Sequence, residues 1–377
     1  MNKRVFIAGG GTGGHIYPAL AIASALKKID SDIEIHFVGS STGMEARIIP
    51  TEGFALHLLS IGRLNRNVGW VERLKTLVKL PLSLLKSYAL LMRYRPQLIL
   101  GVGGYASAPV VLVGALLGYP SVIWEPNAYP GLANRWLARW VNLALVVFEE
   151  AKLILEPKIK RIRLIGLPVR ESVENLIEQV NSEKTPDLEN KSQPFRVLVF
   201  GGSQGARGIN NIVSEALVKR GELLKDFEFV HQTGSQDYSI IKEKYEKNQL
   251  QVQVEVREYL PEIFKQYHWA DLVVCRAGVS TISELAAIGK PAVLIPFPFA
   301  SDNHQQKNAE AVLNKDAACM ILQKDLTLDS FCETLLALKK DPGWRKRLSQ
   351  NIRQLHYPKA AHETAQLLVR EFSGDNR

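Results

Sequence analysis

Cysteine and uninterrupted apolar sequence are scarce in this chain of 377 residues. Its three cysteines, Cys275, Cys319 and Cys332, are widely spaced and form no CxxC pair. An odd number at such spacing indicates neither a disulfide framework nor a zinc site. We therefore expect reduced thiols buried in the core.

No segment has the pattern of a transmembrane helix or a signal peptide. The longest apolar stretch, 106–124, is interrupted by turn-forming residues: Pro109, Gly114, Gly118 and Pro120. This pattern favours a buried helix, turn and strand over a membrane span. The N-terminus leads directly into a five-residue apolar strand, which is too short for a signal peptide. We expect a cytoplasmic protein.

Length and charge narrow the class of protein further. A chain of 377 residues is about twice the usual size of one domain, so two cores are expected. Hydrophobic residues make up 46% and charged residues 23%, as in an ordinary globular protein. The net charge of +9 indicates an anionic partner: nucleic acid, acidic lipid headgroups or a phosphorylated small molecule.

Short apolar runs alternate with helical patterns along the chain, which is typical of parallel βαβ units. Strands are predicted at Arg4–Ala8, Ile33–Val38, Leu98–Val102, Ser121–Trp124, Leu143–Phe148, Arg196–Phe200, Phe227–His231, Asp271–Cys275, Ala292–Ile295 and Ala318–Leu322. Each half opens with a strand, glycines and a helix, as VFIAGGGTGGH and VLVFGGSQGAR. The pattern predicts an α/β protein with two doubly wound, Rossmann-like domains facing a central cleft. Leu164–Pro168 is the predicted hinge, and Asn181–Pro194 a surface loop.

The first glycine loop, Gly9–Gly14, satisfies GxGxxG between a strand and a helix, which suits a phosphate resting on backbone N–H groups. A dinucleotide-binding domain also needs an acid at the end of its second strand. That strand ends Val38-Gly39-Ser40, so a dehydrogenase is disfavoured. His15 follows the loop and is a candidate general base, with a structural or anion-binding role as the alternative.

Two further strand ends in the first half carry polar or glycine-rich sequence. The glycines in 101–107 allow a second ligand group to approach the backbone, or simply form a tight turn. Glu125 and Asn127 end a strand where a core would prefer apolar residues, which favours hydrogen bonding to substrate.

Three segments of the second half have the same character. Gly201–Gly205 could hold phosphates, with Ser203 and Gln204 adding side-chain hydrogen bonds. Glu284 follows Cys275–Ser283 and is expected to bind ribose hydroxyls, although a solvated glutamate in a helix cap is the alternative. The amides of 301–308 suit sugar hydroxyls, or form an ordinary polar helix start.

Six segments together closely resemble the MurG family of bacterial transferases: AGGGTGGHIYPAL, GVGGYASAP, WEPNAYPGLANR, FGGSQGAR, CRAGVSTISELAAIGKP and the pair Gln305-Gln306. The match runs in order from about Lys3 to Asn308. The resemblance implies the GT-B architecture and hexosyltransferase activity. The family moves N-acetylglucosamine (GlcNAc) from UDP-GlcNAc to the 4-hydroxyl of the MurNAc-pentapeptide of lipid I, giving lipid II for peptidoglycan synthesis. The implied domains are 1–165 for acceptor and membrane, 166–355 for the UDP-sugar, and a helical tail, 356–377, packing back on the first.

The resemblance also implies individual roles. Donor contacts are expected from Arg170, Ser203, Gln204, Leu260, Thr281, Glu284, Gln305 and Gln306. Acceptor-side roles are expected for Thr12, Gly13, Gly14, His15, Tyr105, Glu125 and Asn127, with His15 and Glu125 as the catalytic residues. Pro126 departs from the glutamine that the family often has there, which leaves the local hydrogen bonding open.

The expected mechanism is an inverting single displacement. His15 removes the proton from the acceptor hydroxyl, and Arg170 with helix N-termini stabilises the departing diphosphate. No metal or other cofactor is expected. The only D-x-D sequence, Asp30-Ser31-Asp32, precedes a strand and so lies at the wrong end of the sheet.

The region 63–95 has the composition of a membrane-surface segment. It holds eight basic residues and one acid, Glu72, around an apolar set: Trp70, Leu74, Leu77, Val78, Leu82, Leu84, Leu85 and Leu91. Part of that set must belong to the core, especially near Tyr88–Met92. The basic residues are Arg63, Arg66, Arg73, Lys75, Lys79, Lys86, Arg93 and Arg95. We expect a peripheral protein on the cytoplasmic face of the plasma membrane, bound to anionic lipid.

Other functions remain open at this point. The alternatives are a GT-B transferase with a different lipid acceptor, a sugar-nucleotide epimerase, and a non-catalytic subunit that binds a lipid carrier. The presence of both glycine loops and of His15 disfavours the last. Nucleic-acid binding is not expected, because no clustered basic and aromatic motif accompanies the positive charge.

Overall fold

The computed structural model describes residues 3–11, 13–41, 43–59, 70–169, 171–182 and 194–373. The chain divides into two compact units. Unit 1 comprises Met1–Glu174 and Tyr357–Arg377, and unit 2 comprises Asn175–His356. The sequence-based limits lie after residues 165 and 355, whereas the two units meet after residues 174 and 356.

Each unit is built on one parallel sheet, which confirms the predicted pair of Rossmann-like domains. The strands of unit 1 are β1 Arg4–Gly9, β2 Glu34–Ser40, β3 Ala55–Leu59, β4 Leu98–Gly103, β5 Ser121–Glu125, β6 Leu143–Val146 and β7 Ile162–Leu164, in the order β3-β2-β1-β4-β5-β6-β7. Those of unit 2 are β8 Phe195–Phe200, β9 Phe227–Gln232, β10 Gln253–Arg257, β11 Leu272–Cys275, β12 Ala292–Leu294 and β13 Cys319–Met320, in the order β10-β9-β8-β11-β12-β13.

Helices connect these strands, as parallel pairing requires. In unit 1 they are α1 Gly13–Ile29, α2 Glu45–Thr51, α3 Trp70–Tyr94, α4 Ser107–Leu116, α5 Leu132–Leu137 and α6 Glu149–Leu155; α7 Glu171–Ser182 leads into unit 2. The next helices are α8 Arg207–Lys219, α9 Tyr238–Lys247, α10 Ile263–Trp269, α11 Val279–Ile288, α12 His304–Leu313, α13 Leu328–Lys340 and α14 Pro342–Arg353. In the described residues, 3₁₀ turns lie at Gly221–Leu224, Ser301–Asn303 and Gln323–Asp325. α15, Ala360–Ser373, returns to unit 1.

The central strands of both sheets are fully buried apolar runs. Val5–Ala8 of β1 and Val197–Val199 of β8 have no exposed surface. Such runs are typical of parallel sheets covered on both faces. Strands β3, β7 and β10 are absent from the sequence-based prediction, and each of them lies at the edge of its sheet.

α15 packs on α1, so the end of the chain completes the core of unit 1. Thr364, Ala365 and Leu368 on this helix are fully buried. Tyr357 starts the return against Gly166, where a Cβ would lie 2.2 Å from the Cβ of Tyr357. The segment predicted as the hinge, 164–168, therefore lies within unit 1 and contacts the returning chain there.

α3 has one buried and one exposed face. Ser87 and Leu91 are fully buried, whereas Val78, Leu82 and Leu85 are 72%, 51% and 66% exposed. The side chains of residues 70–77, and the whole of 60–69 with Arg63 and Arg66, lie outside the described residues. Within the described part of the chain, no helix is both long and apolar enough to cross a membrane.

Candidate active site

The first candidate site lies at the centre of sheet 1. β1 is bordered by β2 on one side and β4 on the other, so the chain reverses its direction of winding between β1 and β4. This is the switch point at which open α/β sheets bind ligands. The loops after β1 and β4 both leave from it, and they carry Gly9–Gly14 and Gly103–Ser107.

The two loops fit together because neither has side chains at the points of contact. A Cβ on Gly104 would lie 2.5 Å from the carbonyl oxygen of Gly10, and one on Gly103 would lie 2.7 Å from Cε1 of His15. Both glycines also have positive φ, +95° and +79° for Gly103 and Gly104, which favours glycine. The imidazole of His15 thus packs directly on the backbone at the end of β4.

Glu45 anchors the first glycine loop and is absent from the sequence-based site. Its carboxylate accepts hydrogen bonds from Gly11 N at 2.7 Å and Ser40 N at 2.8 Å, and the residue is 1% exposed. A Cβ on any of the three surrounding glycines would lie 2.1 to 2.4 Å from Glu45 atoms: Gly10, Gly39 and Gly43. The carboxylate therefore joins the loops after β1 and β2. The signal in the sequence is an acid at the start of a helix, close behind glycines that follow a strand.

Glu125 is buried at the end of β5 and is held by its own loop. Its Oε1 accepts from the N and Nδ2 of Asn127 at 3.0 and 3.2 Å, and its Oε2 accepts from Gly131 N at 2.8 Å and Asn134 Nδ2 at 2.9 Å. Burial raises the pKa of the Glu125 carboxyl, and these hydrogen bonds oppose that rise. The geometry gives Glu125 a role in shaping the 126–131 loop, while its catalytic role stays a prediction.

The remaining acceptor-side residues surround the same strand ends. Gly13 and Gly14 begin α1, and Tyr105 and Asn127 are half-buried in the loops after β4 and β5. Thr12 lies outside the described residues.

In unit 2 the corresponding switch point lies between β8 and β11. The loop 201–205 follows β8 and packs on the loop after β9. A Cβ on Gly205 would lie 1.8 Å from the carbonyl oxygen of Thr233, and one on Gly234 would lie 2.2 Å from that of Gln204. The side chains of Ser203 and Gln204 are exposed at this loop, so they are available to a ligand.

A buried polar network supports that loop from below. Asn210 is fully buried and donates from Nδ2 to Thr233 O at 2.8 Å and to Asp237 Oδ2 at 2.9 Å. Its Oδ1 lies 3.2 Å from Nε2 of His231, whose Nδ1 lies 2.8 Å from the hydroxyl of Tyr245. Burial lowers the pKa of His231 to about 3, so the ring is neutral. It therefore donates from Nε2 to Asn210 and accepts from Tyr245.

Glu284 lies on α11, one turn after Thr281. Its Oε2 accepts from the hydroxyl of Tyr267 at 2.8 Å, and both Glu284 and Thr281 are half-buried. Burial raises the pKa of the Glu284 carboxyl to about 7, and the hydrogen bond from Tyr267 opposes that rise. A carboxyl whose pKa is shifted in this way is typical of functional sites.

Arg276 ties the loop after β12 to the rest of unit 2, a role not predicted from the sequence. It donates from Nη1 to the carbonyl oxygens of Ile295 and Pro296, both at 3.1 Å, and from Nη2 to Gln323 Oε1 at 2.7 Å. Gln323 in turn packs on Gly208 in the first turn of α8. Burial lowers the pKa of Arg276 to about 10, so the guanidinium stays charged at neutral pH.

The polar segment before α12 has an unusual backbone. Asp302 and Asn303 have φ of +50° and +54°, a left-handed conformation that two successive non-glycine residues rarely adopt. This disagrees with an ordinary helix start. Gln305 Oε1 accepts from Phe297 N at 3.0 Å, and Gln306 donates to Glu310 at 2.8 Å.

Of the predicted donor-side residues that the structure describes, Ser203, Gln204, Thr281, Glu284, Gln305 and Gln306 lie in the loops and helices that follow β8, β11 and β12. Leu260 is half-buried in the loop after β10, beyond the neighbouring strand β9. Arg170 lies outside the described residues.

Comparison with known proteins decides the family. Residues 5–146 match the N-terminal domain of glycosyltransferase family 28, and residues 196–364 match its C-terminal domain. This chain belongs to glycosyltransferase family 28. One curated member, from Bdellovibrio bacteriovorus, is 45% identical over 361 residues that cover 96% of this chain and 97% of that protein. A second, from Myxococcus xanthus, is 40% identical and covers 97% of this chain and 92% of that protein.

Both family 28 relatives are named UDP-N-acetylglucosamine–N-acetylmuramyl-(pentapeptide) pyrophosphoryl-undecaprenol N-acetylglucosamine transferase. Among solved structures, MurG of Acinetobacter baumannii matches with a TM-score of 0.78 at 24% identity, covering 98% of this chain and 99% of that one. A UDP-N-acetylglucosamine 2-epimerase matches with a TM-score of 0.64 at 13% identity, covering 100% of this chain and 98% of that one. The fold is therefore shared with an epimerase, and fold alone does not decide the reaction.

Proposed function

We propose that this protein transfers GlcNAc from UDP-GlcNAc to the 4-hydroxyl of the MurNAc-pentapeptide of lipid I, with inversion at the anomeric carbon. The observation that carries the proposal is the 45% identity to a transferase of that name over nearly the whole of both chains. The two glycine loops at the switch points of both sheets support it, since each suits a phosphorylated ligand.

Unit 2 binds the donor in this proposal. The exposed side chains of Ser203 and Gln204 contact the diphosphate, and Glu284 accepts hydrogen bonds from the ribose. Thr281, Leu260, Gln305, Gln306 and Arg170 complete the donor site. The N-terminus of α8 follows the 201–205 loop, and its oriented N–H groups stabilise negative charge on the departing UDP.

Unit 1 binds the acceptor. The 4-hydroxyl of the acceptor attacks the anomeric carbon of the donor. His15 takes the proton of this hydroxyl, and the bond from the anomeric carbon to the diphosphate oxygen breaks. Contact between His15 and the backbone of Gly103 fixes the direction of the imidazole. Tyr105, Asn127 and the start of α1 at Gly13 and Gly14 orient the acceptor.

We also propose that α3 holds the protein at an anionic membrane on the cytoplasmic side, where the lipid-linked acceptor lies. Val78, Leu82 and Leu85 form an exposed apolar stripe, because their spacing of four and three places them on one face of the helix. Lys79 and Lys86 beside this stripe are exposed as well. Cations next to such a stripe attract acidic headgroups.

The decisive experiment is incubation with UDP-GlcNAc and a short-chain lipid I analogue, followed by mass spectrometry of the lipid product. A disaccharide product supports the proposal. Conversion of UDP-GlcNAc in the absence of acceptor would identify an epimerase instead. Transfer to diacylglycerol but not to lipid I would identify a different lipid acceptor, and binding of lipid I without turnover would identify a non-catalytic subunit.

The proposed reaction needs no metal ion. The N–H groups at the start of α8 stabilise the departing diphosphate in this proposal, so no step is assigned to a metal ion. We expect turnover to be the same with a chelator as without it. Loss of turnover with chelator and its recovery on addition of magnesium would contradict this part of the proposal.

A further inference from the structure

Tyr267, the hydrogen-bond partner of Glu284, supports an inference that rests on the proposed donor site and goes beyond it. We propose that Tyr267 is a positioning residue for donor binding: its hydroxyl holds the Glu284 carboxylate in the ionised, oriented form that accepts hydrogen bonds from the nucleotide ribose. The two residues come from neighbouring helices, α10 and α11, which pack on each other.

The tyrosine hydroxyl has a fixed position. Tyr267 has no exposed surface, and its ring packs edge-on against Phe264 with centroids 5.7 Å apart, and against Phe200 at 6.0 Å. Phe200 is the last residue of β8, directly before the 201–205 loop. The ring is therefore held by the same strand end that presents the predicted phosphate-binding loop.

The hydroxyl can act only as a donor at this site. Burial raises the pKa of Tyr267 well above its usual value, so the phenol stays protonated. Within the described part of the chain, Tyr267 is the only hydrogen-bond donor to the Glu284 carboxylate, and it occupies Oε2. No described residue donates to Oε1, and we assign this oxygen to the ligand, since a carboxylate oxygen accepts from hydroxyl groups such as those of ribose.

The hydrogen bond from Tyr267 affects donor binding because it favours the ionised form of the Glu284 carboxyl. Because burial raises the pKa of the Glu284 carboxyl to about 7, this group changes between its neutral and ionised forms near neutral pH. Among the described residues, the titratable groups facing it are Tyr267 from α10 and Cys275 from β11; burial raises the pKa of Cys275 too, so that thiol is neutral. A ribose that donates hydrogen bonds favours the ionised form. Donor affinity therefore rises as the pH rises through about 7, and then becomes constant.

Replacing Tyr267 by phenylalanine tests this reasoning. Y267F removes a hydrogen bond that stabilises the ionised carboxylate, so the midpoint of the pH dependence moves upward by about one unit. The dissociation constant for UDP-GlcNAc at pH 7 becomes roughly fivefold larger, and the loss is recovered at higher pH. Calorimetric titrations of UDP-GlcNAc across this range measure both quantities.

Y245F is the matched control. It also removes a buried tyrosine hydroxyl from unit 2, but its partner is His231 and not Glu284. We expect Y245F to leave the pH midpoint unchanged. A 3-fluorotyrosine at position 267 keeps the shape and makes the phenol a stronger donor, so it should move the midpoint downward even if Y267F folds poorly. E284Q should abolish the pH dependence.

The outcomes separate the two proposals. If wild-type protein binds UDP-GlcNAc with the same affinity across this pH range, or if Y267F and the fluorinated variant keep the wild-type midpoint, the role of Tyr267 is overturned while donor binding stands. If no UDP-GlcNAc binds at any pH, both the proposed donor site and the role of Tyr267 are overturned. A greater loss of affinity for a 2′-deoxyribose donor in wild type than in Y267F would support the ribose contact.

Discussion

His15 owes its position to a residue without a side chain. The imidazole rests on the backbone of Gly103, where a Cβ would lie 2.7 Å from Cε1 of the ring. The sequence identified His15 from its place after a glycine loop, but it could not show which glycine the ring contacts. That contact depends on the pairing of β1 with β4, which are far apart in sequence.

We expect H15A to lower kcat by roughly 10²-fold to 10⁴-fold, since it removes the proposed general base. G103A keeps the histidine, but its added methyl group displaces the ring, so this variant should also lower kcat. Steady-state turnover of UDP-GlcNAc with a lipid I analogue measures both variants, with circular dichroism to verify folding. Unchanged turnover in H15A would remove His15 from that role.

Glu45 offers a second test at the scale of one residue. E45Q replaces an acceptor oxygen by an NH₂ group that faces a backbone N–H donor, either Gly11 N or Ser40 N. Leaving such a buried donor unsatisfied should lower the free energy of unfolding by about 1 to 3 kcal/mol. Urea unfolding gives this quantity. E52Q, at an exposed glutamate just after the same helix, should change it by less than about 0.5 kcal/mol; an equal effect of both variants would argue against the anchoring role.

At the scale of elements, the central strands were predictable, and so was the edge strand β13, but the edge strands β3, β7 and β10 were not. A buried parallel strand is a continuous apolar run, as in Val5–Ala8, and such a run is visible in the sequence. The edge strand β10, by contrast, has alternating exposed and half-buried residues, and it holds two charged side chains, Glu255 and Arg257. Charge on an edge strand prevents pairing with other chains, but it also hides the strand from a search for apolar runs.

The donor-side residues show the same limit of prediction from the sequence. Ser203, Gln204 and Glu284 follow predicted central strands, so their common location at one sheet edge could be inferred. Tyr267 lies on a short helix and shows no periodic signal, and Arg276 looks like any polar residue after a strand. Their roles depend on contacts across the sheet, which a single sequence does not report.

The exposed stripe on α3 allows a test of membrane binding. L82Q/L85Q should weaken partitioning to vesicles with anionic lipid by tenfold or more, since burying each leucine contributes about 1.5 to 3 kcal/mol. Sedimentation with vesicles measures the partitioning. L153Q changes a leucine that is 61% exposed on α6 and is the control for surface hydrophobicity. Equal loss in the control and the stripe variant would contradict a specific role for α3.

The charges beside the stripe have an effect of their own. K79Q/K86Q should weaken the same partitioning by about 1 kcal/mol for each lysine, and the loss should shrink as salt is added. Vesicles without anionic lipid should bind the variant and the wild type alike. If neutralising both lysines left binding to anionic vesicles unchanged, the electrostatic part of the proposal would be wrong.

For the whole molecule, the order of the units along the chain determines when the core of unit 1 is complete. Unit 1 contains both the start and the end of the chain, because α15 returns from unit 2 and packs on α1. The core of unit 1 therefore stays incomplete until the last helix is in place. Arg161, next to β7, strengthens this closure through a paired contact with Glu371, at 2.5 and 3.0 Å.

L368A tests whether that helix stabilises one unit only. Leu368 is fully buried, so its truncation should cost about 2 to 5 kcal/mol. Because α15 belongs to unit 1, hydrogen exchange should accelerate in β1 and β4 but remain unchanged in β8 and β11. Q366A, at an exposed position on the same helix, should leave exchange in both sheets as it is. Equal acceleration in the two sheets would mean that the units unfold as one cooperative block, and that the tail stabilises the whole chain.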